Sequence, residues 1–131
     1  MLNTTYSPMY ILALNGQSET NEHILLKTHG INTFKQVEGV YTMASTGERI
    51  VERSYIIPAL HSVAVKELAK QTKQESILHL GGSADRPATL IYTKTGRRET
   101  LGSFVEVRKV DTLKASAYTY DATTHAYFMV K

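Results

Sequence analysis

Arg49-Ile50-Val51-Glu52-Arg53-Ser54-Tyr55-Ile56-Ile57-Pro58 is the stretch that decides the fold. Its side chains alternate. Val51, Arg53, Tyr55 and Ile57 share one face, while Ile50, Glu52, Ser54 and Ile56 share the other. That period of two specifies a strand, and Pro58 ends it. Upstream, Ser45-Thr46-Gly47-Glu48 reads as a turn, and Phe34 to Ala44 reads as the partner strand of a hairpin. Gly39 inside that partner strand is the expected position of a bulge.

Further outward, Tyr10 to Leu14 reads as a short buried strand closed by Asn15-Gly16. Ser18 can cap a helix running to about His29, with Ile24, Leu25 and Thr28 on one side and Gly30 as the stop. Leu60 to Thr72 carries the clearest helical pattern, with Leu60, Ala64 and Leu68 four residues apart. Lys66, Lys70 and Lys73 collect toward its C-terminal end, where they suit the helix dipole. Ser76 to Leu80 is a strand closed by Gly81-Gly82. Thr89 to Tyr92 and Arg98 to Val107 form a hairpin around Lys94-Thr95-Gly96. Ala117 to Tyr120 and Ala126 to Val130 form a last one.

The order β-α-β-β-α-β followed by extra C-terminal β-hairpins predicts an α+β, ferredoxin-like antiparallel sheet with both helices on one face. Its other face must be covered, either by the extra strands or by neighbouring subunits, because a bare apolar sheet face is a liability. A homo-oligomer is the expectation from pattern.

The chain has 131 residues, enough for a single domain spanning 1–131 with a real core, and residues 1–8 are expected to be disordered. Hydrophobic residues make up 42% and charged residues 21%, ordinary values for a globular protein, and with only 3 prolines disorder is not indicated. Cysteine is absent, so disulfides, thiolate metal sites and cysteine nucleophiles are excluded. Neither a leader pattern nor an apolar run long enough to span a bilayer is present, so a cytoplasmic protein with no membrane partner is the default expectation. Asn3-Thr4-Thr5 matches a glycosylation acceptor without a secretion route to use it.

Net charge is +3, with only Arg97-Arg98 and Arg108-Lys109 as adjacent basic pairs. No basic stripe with interleaved aromatics is visible, which argues against a nucleic-acid partner. There is no glycine-rich phosphate loop, no zinc-protease motif and no nucleophile elbow. The five histidines lack metal-ligand spacing, so no metal is expected.

Among the acids, Glu52 shares its face with Ile50 and Ile56. A carboxylate among apolar neighbours needs a partner or a purpose. An exposed edge, or an ion pair with Arg49 or Arg53, is the structural alternative. Glu75 opens a strand directly after a helix, between Gln74 and Ser76, a place for ligand contacts and equally for a plain turn. Tyr41 stands near the end of the strand that pairs with that of Glu52, where packing with a wet hydroxyl is the ordinary role.

Several segments then fall in a recognisable order: Gly39-Val40-Tyr41, the acidic region from Glu48 to Glu52, Gln74-Glu75-Ser76-Ile77-Leu78, Ala88 to Lys94, and Leu101-Gly102-Ser103-Phe104-Val105-Glu106-Val107. Over much of residues 39–130 the chain resembles the S-adenosylmethionine lyases of bacteriophages, long described as hydrolases. The resemblance implies cleavage to 5′-methylthioadenosine and L-homoserine lactone, with the substrate's own carboxylate attacking its γ-carbon. It implies no cofactor, since S-adenosylmethionine is the substrate. It places Glu52 and Tyr41 at the methionine end as the catalytic pair, with Glu48 as the alternative acid. It places Gln74, Glu75 and Ser76 on the adenosine part. Glu106 also lies in a resembling segment, but a structural role is the expectation for it. It further implies a homotrimer like the PII signalling proteins, with active sites between subunits, and a role in blunting methyl-dependent host defences from the host cytoplasm. A PII-like module that binds a nucleotide without turning it over is the competing expectation.

Overall fold

A computed structural model describes residues 7–14 and 16–131. The expectations for residues 1–6 and Asn15, including most of the predicted disordered segment, lie outside the described residues. Eight strands run in the order β1 (Met9–Ala13), β2 (Lys35–Thr42), β3 (Arg49–Pro58), β4 (Ser76–Leu80), β5 (Pro87–Tyr92), β6 (Arg98–Val107), β7 (Ala117–Asp121) and β8 (Ala126–Val130). Helix α1 (Glu19–Thr28) follows β1, and α2 (Ser62–Gln71) follows β3 through a short 3-10 turn at Ala59–His61.

The strands close into a barrel in the order β1-β3-β2-β7-β8-β6-β5-β4, every pair antiparallel. This overturns the ferredoxin-like expectation, and the PII-like likeness with it. The sheet does not stop at its outer strands. The C-terminal strands β5 to β8 curl round and join β4 to β2, so closure leaves no edge to pair with another copy.

Alternation along β3 divides the protein into two cores. Tyr55 and Ile57 point outward and pack with Tyr10, Leu12, Leu26, Val65 and Leu68 under the two helices. Ile56 points inward and packs with Met9, Val37, Leu80 and Ala88 inside the barrel, where Phe104 and Val130 join them. The face expected to need covering is therefore the barrel interior, filled by the protein's own extra strands. Phe104 and Phe128 stack there with ring centres 5.1 Å apart.

Local details follow from chemistry. Ser18 caps α1 by accepting from the Asn21 N–H at 3.1 Å. That helix presents a different face from the one expected: Glu22 and Leu26 are buried, while Ile24 is 55% exposed. The reason is polar. The Glu22 carboxylate accepts from the Tyr55 hydroxyl at 2.8 Å and from Arg53 Nη1 at 3.0 Å, and this pins α1 to β3. In α2 the buried residues are Val65, Leu68 and Ala69, and Leu60 lies outside the packed face.

Gly39 forms no bulge. The β2–β3 register is unbroken from Lys35↔Ile56 to Thr42↔Arg49. The irregularity in the barrel lies instead between Ala88 and Thr89, opposite Gly102 on β6. At Gly102, φ is +134° and an added Cβ would sit 2.5 Å from the Lys131 carbonyl oxygen, so only glycine fits.

Candidate functional site

Hairpin β2–β3 sets Tyr41 and Glu52 on one face. Glu52 lies opposite Gly39, and Tyr41 opposite Ile50, so Tyr41 and Glu52 are diagonal neighbours about 7–8 Å apart by strand geometry. The face is the inner one, shared with Ser54 and Ile56. Gly39 keeps it open: an added Cβ would lie 3.4 Å from Ser54 Oγ and 4.0 Å from Glu52 Cγ. Both Tyr41 and Glu52 are half-buried.

Among the described residues Glu52 has no hydrogen-bond or ion-pair partner. The two arginines offered for it from sequence are taken up elsewhere. Arg53 binds Glu22 on the outer face. Arg49 donates to the Thr112 and Ala115 carbonyls and to Thr42 Oγ1. Burial pushes the Glu52 carboxyl above the ordinary glutamate range, and the Glu22 charge adds to the rise. Glu48 is exposed at the hairpin turn, its N–H bonded to Thr46 Oγ1 at 3.2 Å.

Gln74 and Glu75 form a second group. They follow the C-terminus of α2 and lead into β4, where the Glu75 carbonyl accepts from the Thr93 N–H at 2.9 Å. With Lys70, Lys73, Tyr92 and Arg97 they line a cavity of about 740 Å³. Ser76 pairs with Tyr92 across β4–β5. None of Tyr41, Glu48 and Glu52 lines this cavity. Strand β1 stands between β3 and β4, which puts the two groups' strands roughly 10 Å apart around the barrel wall. The structure thus joins Tyr41 with Glu52, and Gln74 with Glu75, but does not bring the two pairs together within one chain.

Glu106 is exposed at one barrel mouth. It lines a cavity of about 440 Å³ together with Phe104, Phe128, Lys35, Arg86 and Asp121. Lys35 and the buried Asp121 form an ion pair there. Among the described residues no three His, Asp or Glu side chains are placed to hold a metal ion, and no helix is long and apolar enough to cross a membrane.

Sequence reasoning missed the cations that ring the Gln74–Glu75 cavity. Lys70 and Lys73 were visible at the helix end, and Lys94 and Arg97 in the β5–β6 turn. Only the fold sets them around one concavity. It also missed Glu22, whose signal was a carboxylate in the first turn of a helix, a place it suits whether buried or not.

A solved phage SAM lyase in complex with S-methyl-5′-thioadenosine is 20% identical, with a TM-score of 0.38, over 72% of this chain and 88% of that one. No curated protein matches. The family model described as the S-Adenosylmethionine lyase family matches residues 13–131, which takes in all eight strands except the first four residues of β1. On that match, the chain belongs to the S-adenosylmethionine lyase family.

Proposed function

We propose that this lyase folds the methionine part of S-adenosylmethionine against Glu52 and Tyr41, while Gln74 and Glu75 of a neighbouring subunit hold the adenosine. A carboxylate oxygen of the substrate attacks its γ-carbon. The carbon–sulfur bond breaks, its electron pair passes to sulfur, and 5′-methylthioadenosine leaves as a neutral thioether. The lactone ring closes in the same step. No proton moves and no cofactor is required.

The protein's task is then positioning. Holding the carboxylate and γ-carbon at about 3–3.5 Å can supply roughly 7–11 kcal/mol of the barrier. Glu52 is suited to the substrate ammonium, whose charge persists through the reaction. A carboxylate set on the sulfonium would favour substrate over transition state. Because carboxylate and sulfonium neutralise each other as the bond breaks, a half-dry wall such as the inner face of β2–β3 favours the less charged transition state. Tyr41 contacts the substrate beside Glu52. Glu75 accepts from the ribose hydroxyls.

The observation that carries this reading is Glu52: half-buried, raised in pKa, and without a partner among the described residues, beside a glycine that clears space for it. Separation of the two residue pairs within one chain supports completion of each site by another copy, as in a homotrimer. Incubation with S-adenosylmethionine, followed by chromatography for methylthioadenosine and homoserine lactone, tests the chemistry. Homoserine in place of the lactone would mean that water is the nucleophile. Sedimentation of an active protein purely as monomer would refute the shared site.

A further inference from the structure

The cavity beside Gln74 and Glu75 carries a charge that the lyase substrate leaves unexplained. Lys70 and Lys73 approach it from the end of α2, and Lys94 and Arg97 from the β5–β6 turn. An adjoining cavity of about 330 Å³ shares Lys70 and Lys94 and adds Lys66 and Arg98. Six of the chain's 15 Lys and Arg line these two spaces, against one of its 12 Asp and Glu, Glu75. The positive charge is therefore concentrated here rather than spread. None of the six forms a salt bridge among the described residues. The helix dipole accounts for Lys70 and Lys73, but not for the cations of the turn.

A second observation points the same way. Thr93 lines both cavities, and its buried hydroxyl has no hydrogen-bond partner among the described residues. Its backbone N–H donates to the Glu75 carbonyl, which holds the Thr93 main chain beside Glu75. Beside it, Arg97 lies over the Tyr92 ring at 4.3 Å, and the Tyr92 hydroxyl donates to Glu99 at 2.8 Å. The hydroxyl lacks a partner, and an oxyanion is the kind of partner that the neighbouring cations favour. S-adenosylmethionine is a net cation, and its adenosine end is neutral.

We propose that this cavity contains a phosphoryl subsite, so that adenosine 5′-phosphates bind with their phosphates on Lys73, Lys94, Arg97 and Thr93 Oγ1 and compete with the lyase substrate. The proposal rests on the reading of Gln74 and Glu75 as the adenosine end. Polynucleotides share the phosphate chemistry, but a concave space of about 740 Å³ has the size of a small-molecule site rather than of a groove that tracks a strand.

Titration calorimetry with adenosine, methylthioadenosine, ATP, tripolyphosphate and a mixed-sequence single-stranded DNA of 20 nucleotides tests it. ATP should bind at least about tenfold tighter than adenosine, as one or two charge-assisted hydrogen bonds predict, and less tightly as salt rises. In the double variant Lys73→Gln and Lys94→Gln that advantage should shrink about tenfold, with methylthioadenosine affinity changed less than about twofold. Thr93→Val, which keeps the shape, should also weaken ATP. ATP binding no tighter than adenosine overturns the proposal. So does tighter binding of the DNA than of ATP at equal salt. If tripolyphosphate binds but methylthioadenosine does not, the phosphoryl subsite stands and the adenosine reading of Gln74 and Glu75 falls.

Discussion

Replacing Glu52 by Gln separates function from folding. Gln keeps the shape and removes the charge that is proposed to hold the substrate ammonium. Hydrogen bonds to charged groups contribute about 1.5–3 kcal/mol, so kcat/KM should fall roughly 10- to 150-fold. The pH profile carries the sharper information. In the free enzyme the Glu52 carboxyl sits above its ordinary value of 4.5, because of burial first and the Glu22 charge second. The profile of kcat/KM reports the free enzyme, so its acid limb should lie above pH 4.5 and should be absent in Glu52→Gln. Bound substrate places an ammonium beside the group, so the limb in kcat should move to lower pH. Stability should move the opposite way from activity. A carboxyl whose folded pKa is raised favours the folded state fully below its unfolded value, and that contribution is lost as pH rises through the folded value. At pH 7 the native protein therefore carries a penalty that the variant lacks. Urea unfolding should find Glu52→Gln more stable at pH 7, with the gap closing below about pH 4.5. A variant that is both fully active and no more stable would remove Glu52 from the site.

Glu22→Gln should cost about 1.5–3 kcal/mol in urea unfolding, since the Tyr55 and Arg53 donors lose a charged acceptor. Removing the Glu22 charge should also move the acid limb of kcat/KM toward lower pH, because that charge is the second cause of the raised Glu52 value; an unmoved limb would deny the coupling. Gly102→Ala should destabilise by about 2–6 kcal/mol, the sum of a strained positive φ and a clash with the Lys131 carbonyl, and thermal unfolding reads it directly. Arg86→Met should cost about 3 kcal/mol, because the buried guanidinium donates to the Ser7 and Gly81 carbonyls and ties the entry of β1 to the end of β4.

Much of the element order was legible because it depends on local pattern. The alternation of β3 located that strand to within a residue at its far end, and Ser18 named its own helix cap. Closure was not legible. Periodicity tells which face of a strand is apolar, but not which strand will lie beside it. Phe104, Phe128 and Val130 served equally well as inner-face residues of a barrel or as cover for another subunit. The pairing of Glu52 could have been narrowed from sequence. Arg49 and Arg53 stand at odd-numbered positions of a strand on which Glu52 faces the other way, so parity disfavoured both. The cationic cavity was beyond reach, because Lys73 and Lys94 meet only once β4 and β5 are paired.

Strand β3 shows how the barrel divides labour between its two faces. Outward, Arg53 and Tyr55 are fully engaged by Glu22, which locks the strand to α1. Inward, Glu52 on the same strand has no partner among the described residues, and Gly39 opposite withholds even a methyl group. An open-edged sheet with helices on one face would expose its second face, and a carboxylate there would be solvated and ordinary. Closure by β5 to β8 turns that face into the inside of a barrel, and burial is the first cause of the raised Glu52 value, ahead of the Glu22 charge. The C-terminal strands therefore act on the proposed chemistry without supplying its acid: they close the barrel on whose inner face an upstream glutamate becomes unusual.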